Sequence, residues 1–359
     1  MAATPMTSTP TTPGPAASSP AAATAADASV QDTLPDGTVD AVVIGGGAAG
    51  LNGALMLARS RREVVVIDSG TPRNAPAEGV HGLLGLEGMP PAELLARGRA
   101  EVRHYGGRVV AGEVESAAPA GPSAEGDPRF TVTLADGRTV LARRLLVATG
   151  LRDVLPDVPG LAGHWGHGVV HCPYCHGWEV RDEPIGILAT GPASVHHALL
   201  FRQLTDDLVY FTRDTELDAE TRERFAARGI LVVDGPVGQV VTAEDGGIEG
   251  VRLADGRLVA RRVLAVATSL QARTSGLADL GLPMEDLPGG IGRRFVTGTA
   301  GTTDIPGVWV AGNATDPMAQ VGASAAAGAL AGAHINADLA AADTDAALAA
   351  RRAPAPAPA

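Results

Sequence analysis

Residues 40–68 read DAVVIGGGAAGLNGALMLARSRREVVVID. The run Ala41-Val42-Val43-Ile44 is continuous and apolar, the mark of a buried strand. Gly45-Gly46-Gly47-Ala48-Ala49-Gly50 follows. Leu51 to Ser60 then reads as a helix, and Val64-Val65-Val66-Ile67 as a second buried strand ending at Asp68. Together they make a β-α-β unit with Gly45-x-Gly47-x-x-Gly50 between strand and helix. In that motif Gly45 makes the tight turn and Gly47 lets the backbone approach a pyrophosphate. Gly50 allows close helix–strand packing. Ala48 belongs to the same candidate loop, and the helix N-terminus faces the phosphates. Asp68 can accept hydrogen bonds from ribose hydroxyls.

The chain carries echoes of this unit. Residues 132–150 (VTLADGRTVLARRLLVATG) and 251–269 (VRLADGRLVARRVLAVATS) align without gaps at an offset of 119, with 12 identities in 19 positions. Each copy reads as a hairpin with a D-G turn, Asp136-Gly137 or Asp255-Gly256, leading into a buried strand. Ile185 to Leu188 reads as a strand, Ala189 to Ser194 as a loop, Val195 to Leu204 as a helix and Leu208 to Phe211 as the next strand. The first unit resumes near residue 275. It closes with the strand Val308 to Ala311 and an Ala/Gly-rich helix from about Val321. The expected fold is α/β: two three-layer, Rossmann-like dinucleotide-binding domains, the second inserted in the first. The expected divisions are a disordered tail at 1–38, a first domain at 39–156 and 275–340, the insert with its Cys pair at 157–274, and a tail at 341–359. The Ala, Pro, Thr and Ser-rich N-terminus cannot bury enough apolar surface to offset ordering.

The chain has 359 residues, 45% of them apolar, with a net charge of −12. All 28 basic residues are Arg. So acidic a chain offers no broad basic face, which argues against nucleic acid. Ala41 to Ala58 is long enough to suggest a membrane span, but its five glycines suit a strand, turn and helix better. Met1 to Ala26 lacks the basic n-region of a secretory signal, so a cytoplasmic location and no membrane partner are expected.

The only cysteines lie in Cys172-Pro173-Tyr174-Cys175-His176. Three readings stand. A Cys-x-x-Cys pair forms a redox disulfide easily. C-x-x-C-H also attaches c-type haem, which would require export. Zinc could recruit His164, His167 or His171, although their spacing fits no standard pattern and no metal is expected.

A Gly loop, a C-x-x-C and a second nucleotide unit in this order resemble the low-molecular-weight thioredoxin reductases over about residues 39–340. The string from His171 to Glu179, HCPYCHGWE, looks closest to the branch that includes the FAD-dependent dithiol oxidases. The resemblance implies a homodimer with FAD in the first site. Asp68, Arg73, Asn74, Val114, Ala148, Thr149, Gly150, Gly312, Asn313, Gln320 and Val321 would then line that site. It implies that Cys175 faces the flavin and Cys172 exchanges with substrate. His176 stands where the reductases usually carry an acid, and Asn313 where they carry Asp. In the second nucleotide loop the three glycines become Ala189, Gly191 and Ser194. Pro192 lacks an N–H, Thr212 replaces the acid, and Arg213 is the remaining candidate for a 2′-phosphate. NADPH binding is therefore in question.

The expected function is an FAD-dependent thiol–disulfide oxidoreductase. Cys172, Cys175 and His176 would oxidise a small dithiol, or a thioredoxin-like protein, with O2 as acceptor. The alternative is an NADPH-dependent thioredoxin reductase. A redox-sensing flavoprotein without turnover fits the intact Cys pair less well.

Overall fold

Strand β1 (Thr38–Ile44) leads into helix α1 (Ala48–Arg59) and strand β2 (Val64–Asp68). The two strands are parallel, with Ala41 opposite Val64 and Ile44 opposite Ile67. Their side chains alternate between two cores. Val42, Ile44, Val65 and Ile67 face one, while Ala41, Val43, Val64 and Val66 face the other. A strand covered on both faces has no polar side, which is why these runs are apolar throughout. The computed structural model describes residues 32–121, 127 and 129–352.

The chain continues through α2 (Pro91–His104), β3 (Arg108–Ala111), β4 (Val114–Pro119), β5 (Phe130–Leu134) and β6 (Thr139–Val147). The sheet order is β3-β2-β1-β6-β5-β4. The first half of β6 pairs antiparallel with β5, and its last three residues pair in parallel with Val308–Val310. Helices cover one face of this sheet. On the other face, side chains of β4 and β5 join those of β1, β2 and β6 in one core with Leu277, Leu280 and Phe295.

Strand β7 (Leu151–Val154) leaves this sheet for a second unit. That unit contains β8 (Val169–Val170), α3 (Pro173–His176), β9 (Ile185–Leu188), α4 (Ala193–Phe201), β10 (Leu208–Phe211), α5 (Ala219–Ala227) and β11 (Leu231–Val233). Three antiparallel strands follow: β12 (Val237–Thr242), β13 (Ile248–Leu253) and β14 (Leu258–Ala260). β15 (Val263–Val266) completes the parallel sheet β11-β10-β9-β15-β8. β16 (Ser269–Ala272) returns antiparallel to β7 and joins β17 (Met284–Leu287) and β18 (Gly292–Phe295). β19 (Val308–Val310) and α6 (Val321–Arg352) close the first unit. The fold is thus α/β with the second Rossmann-type unit inserted in the first.

The sequence repeat is also a structural one. Thr139–Val147 is a single strand in the first copy, while the equivalent positions form β14 and β15 in the second. The break falls at Arg261-Arg262, where Arg262 N and Val263 N both turn to the Pro184 carbonyl. Both D-G turns keep one design: Gly137 and Gly256 have positive φ, and each Asp accepts a hydrogen bond from the N–H two residues on.

Several expectations shift, and α1 is one: it begins at Ala48 rather than Leu51, directly after the glycine loop. Helix α4 begins at Ala193 and ends at Phe201, against the expected 195–204, because Ser194 is buried and bonded to the loop before it. The expected N-terminal tail at 1–38 falls at 1–31 outside the described residues. From residue 32 the chain is anchored, since Asp32 accepts hydrogen bonds from Arg103 Nε and Val109 N. The expected tail from 341 is helical to Arg352, and Asp343 pairs there with Arg62 and Arg143. α6 crosses α1 closely: a Cβ on Gly328 would stand 1.9 Å from the Ala49 carbonyl oxygen. No helix among the described residues is long and apolar enough to cross a membrane.

Candidate active site

The first Gly loop opens onto a cavity of about 1690 Å3. Gly45 has φ +109°, and a Cβ there would meet the Ala148 carbonyl oxygen at 2.4 Å. Only glycine makes this turn. A Cβ on Gly47 would touch no protein atom within 4 Å, leaving its side of the loop free for a ligand. Asp68, at the end of β2, accepts from Gly70 N and Arg99 Nη2.

Gly45, Gly47, Ala48, Asp68, Arg73, Asn74, Val114, Ala148, Thr149, Gly150, Asn313, Gln320 and Val321 all line this cavity. Gly50 and Gly312 do not: the first packs against the Gly45 carbonyl and the second against Ala49. Arg73 lines the wall, but its guanidinium is committed to Asp153, with Nε and Nη2 donating at 2.6 and 2.8 Å. Asn313 Nδ2 donates to the carbonyls of Ala319 and Asp316, so Oδ1 is its remaining acceptor. Ser324, unmarked in the sequence, also lines the cavity, and its buried hydroxyl has no partner among the described residues. An open glycine cradle, an acid after the second strand and an unpartnered hydroxyl fit a flavin dinucleotide.

The same cavity reaches the cysteines. Cys172 precedes α3 and Cys175 lies within it; their sulfurs are joined as a disulfide, and both line the wall with His176. The haem and zinc readings need those sulfurs elsewhere. His164, His167 and His171 turn to separate partners: Thr242 Oγ1, the Trp165 carbonyl and the Val266 carbonyl. Burial pulls the His176 imidazole below its ordinary pKa, with Glu179 opposing, so the ring is neutral at pH 7. Its buried Nε2 has no partner among the described residues.

The second loop, whose Thr190, Gly191 and Ala193 also line this cavity, is braced by bonds of its own. Thr190 N donates to Ser194 Oγ at 2.9 Å, and Thr190 Oγ1 donates to the Ala267 carbonyl at 2.7 Å. Ser194 is fully buried. Arg213 Nη1 donates to the Ala189 carbonyl at 2.9 Å. Thr212 Oγ1 accepts from Gly235 N.

Residues 39–330 match the pyridine nucleotide-disulphide oxidoreductase family, and the chain belongs to it. It is therefore an oxidoreductase, and enzymes of this family work with FAD and a pyridine nucleotide. Among solved structures it is similar to HlmI, at 44% identity and a TM-score of 0.81, covering 89% of this chain and 98% of that one. An oxidoreductase from Agrobacterium tumefaciens is 33% identical, with a TM-score of 0.77, over 84% of this chain and 99% of that one. Thioredoxin reductase tcpT of Claviceps purpurea is 34% identical over 77% of this chain and 86% of its own length.

Proposed function

We propose that the protein is an FAD-dependent dithiol oxidase of the thioredoxin reductase-like branch. It would close a small dithiol to a disulfide through Cys172–Cys175, with O2 reduced to hydrogen peroxide. The carrying observation is the asymmetry of the two loops. Both loops border the cavity that holds the disulfide, but the first keeps an open glycine cradle, while in the second Thr190 N is spent on Ser194 Oγ and Arg213 Nη1 on the Ala189 carbonyl.

Bound FAD would supply the two-electron path between the Cys pair and O2. Gly47, Asp68, Asn74, Thr149, Asn313, Gln320 and Ser324 are the residues that would hold it. A substrate thiolate attacks Cys172 Sγ. The disulfide breaks and its electron pair goes to Cys175 Sγ. His176, neutral at pH 7, takes the thiol proton and returns it to Cys175. The second substrate thiol attacks the mixed disulfide, releasing the cyclised product and the Cys172 thiol.

Anaerobic stopped-flow tests this. A dithiol should bleach the flavin more than roughly tenfold faster than NADPH, since a single lost charged hydrogen bond costs about 1.5–3 kcal/mol. Fast reduction by micromolar NADPH replaces the proposal with an NADPH-dependent thioredoxin reductase. That reading draws on the names of tcpT and of sirT from Leptosphaeria maculans, both called thioredoxin reductases.

A further inference from the structure

Resting on the electron exchange proposed above between the Cys pair and FAD, we propose that His81 is a positioning residue for that transfer. The 81–87 loop would be a strut that sets how far the cysteine helix stands from the cofactor end of the cavity.

The two redox partners belong to different units. Gly45, Asn313 and Gln320 line the cavity from the first unit, while Cys172 and Cys175 sit at α3 of the insert. α3 is a single turn, fixed from its own side: a Cβ on Gly177 would stand 2.4 Å from Leu204 Cδ1. From the first unit it meets the loop that ends before α2. The Val80–Met89 bridge closes that loop, with Val80 N donating to the Met89 carbonyl and Gly88 N to the Val80 carbonyl. Inside it Glu87 takes two hydrogen bonds, from His81 Nδ1 at 2.7 Å and from Gly82 N at 2.8 Å. The bond from His81, aided by that from Gly82, holds the Glu87 carboxyl below the usual carboxylate range. The group is therefore charged at pH 7, accepts only, and fixes a proton on Nδ1.

The ring is thereby aimed at the insert. His81 Nε2 lies 3.5 Å from Oε1 of Glu179, which follows closely after His176. The turn that carries Glu179 is itself braced. Arg181 Nη1 donates to the Trp178 carbonyl at 2.6 Å, and its guanidinium stacks on the Trp178 ring. Contact is not confined to one pair, since His81, Gly82 and Glu87 wall a small cleft with Tyr174 of α3 and Trp178. The same loop also touches the cofactor side. A Cβ on Gly82 would stand 3.2 Å from Gln320 Oε1, and one on Gly322 would stand 3.6 Å from Leu83 Cδ1. One short loop thus touches both the segment expected to hold the flavin and the turn behind the cysteines.

Exposed ion pairs of this kind add little to folding. Placement is where this one acts, because a misplacement of about 1 Å between reacting groups can cost on the order of 100-fold in rate. Each transfer re-forms the Cys172–Cys175 bond. Two electrons and one proton of the thiol pair pass to the flavin, and the other proton goes to solvent.

The test uses purified holoprotein without O2, with dithiothreitol as probe, and follows two events together. Alkylation and intact mass report opening of the Cys172–Cys175 disulfide, and stopped-flow absorbance reports reduction of the flavin. His81→Ala should slow flavin bleaching at least roughly tenfold more than it slows disulfide opening, so that reduced cysteines accumulate beside oxidised flavin. His81→Gln, which keeps a donor for Glu87, should recover most of that loss. Distance is read separately in Cys172→Ser, whose Cys175 thiolate gives a long-wavelength charge-transfer absorbance when it lies against the flavin. Adding His81→Ala should remove at least roughly half of that band. Glu87→Ala, which frees the ring, serves in place of His81→Ala if that variant does not fold. Equal slowing of both events, or an unchanged band, overturns the inference alone. A wild-type flavin that dithiols never bleach overturns the proposed function, and the band in Cys172→Ser then still decides the role of His81.

Discussion

Asn313 replaces the acid that the family resemblance leads one to expect, and its amide shows why an acid does not suit this chain. Nδ2 points at the carbonyls of Ala319 and Asp316. A carboxylate there would set oxygen against oxygen. Asn313→Asp should therefore destabilise the protein by about 1–3 kcal/mol in urea unfolding, although it restores the commoner residue. An unchanged midpoint would mean that the carbonyls are satisfied some other way. Gly47 sets the opposite case. A Cβ there meets nothing in the protein, so Gly47→Val should fold with a near-native melting temperature. It should nonetheless lose most of its flavin absorbance, because the side chain enters the cavity. Full flavin content in this variant would show that the loop does not cradle the cofactor.

At the scale of elements, the two strand-loop-helix units differ at their loops. Each joins a parallel strand to a helix, yet only the second ties a loop N–H to a side chain of its own helix, Thr190 N to Ser194 Oγ. Arg213 is the informative side chain, because its guanidinium closes the loop on the Ala189 carbonyl. Arg213→Ala should leave the rate of NADPH reduction within about twofold of wild type and lower stability by roughly 1 kcal/mol. A tenfold loss of NADPH affinity would instead make Arg213 a phosphate ligand. The D-G hairpins diverged less, since their turns are set by local chemistry. The strand after them did diverge: Arg261 turns away to Asp207, and one long strand becomes two.

Across the whole molecule the two units meet through β7 and β16, and the repeat explains how they are pinned. Thr149 and Thr268 are equivalent positions of the 119-residue repeat. Thr149 Oγ1 donates to the Arg273 carbonyl, and Thr268 Oγ1 to Asp153. Each threonine stands two residues beyond a strand of its own unit and bonds to the other connection, Thr149 to Arg273 just after β16 and Thr268 to Asp153 within β7. The cavity borders both units, so its ligand should stabilise the fold as a whole. Adding FAD to deflavinated protein should raise the melting temperature with concentration, by about 1.4 kcal/mol of stability per tenfold excess over Kd. A melting temperature indifferent to FAD would place the flavin outside this cavity.

The sequence alone determined what depends on neighbours along the chain. The β-α-β unit, its glycine loop, the two hairpins and the Cys pair were legible because strand burial, turn chemistry and a three-residue cysteine spacing are local properties. The departures in the second loop were legible too, as missing glycines and a missing acid. Only the tertiary structure decided which polar groups find each other across the units. Arg73 reads as a cofactor residue by position, yet Asp153, 80 residues away, takes its guanidinium. His171 reads as a loop histidine until Val266, Thr268 and His197 close around it. Ser324 carries no sequence signal, since an unpartnered hydroxyl is defined by what surrounds it. The one clue to Thr268 was the shared Val-Ala-Thr ending of the repeat. Its partner could not be read there, because a buried ion pair depends on which segments pack together, and no local pattern records that.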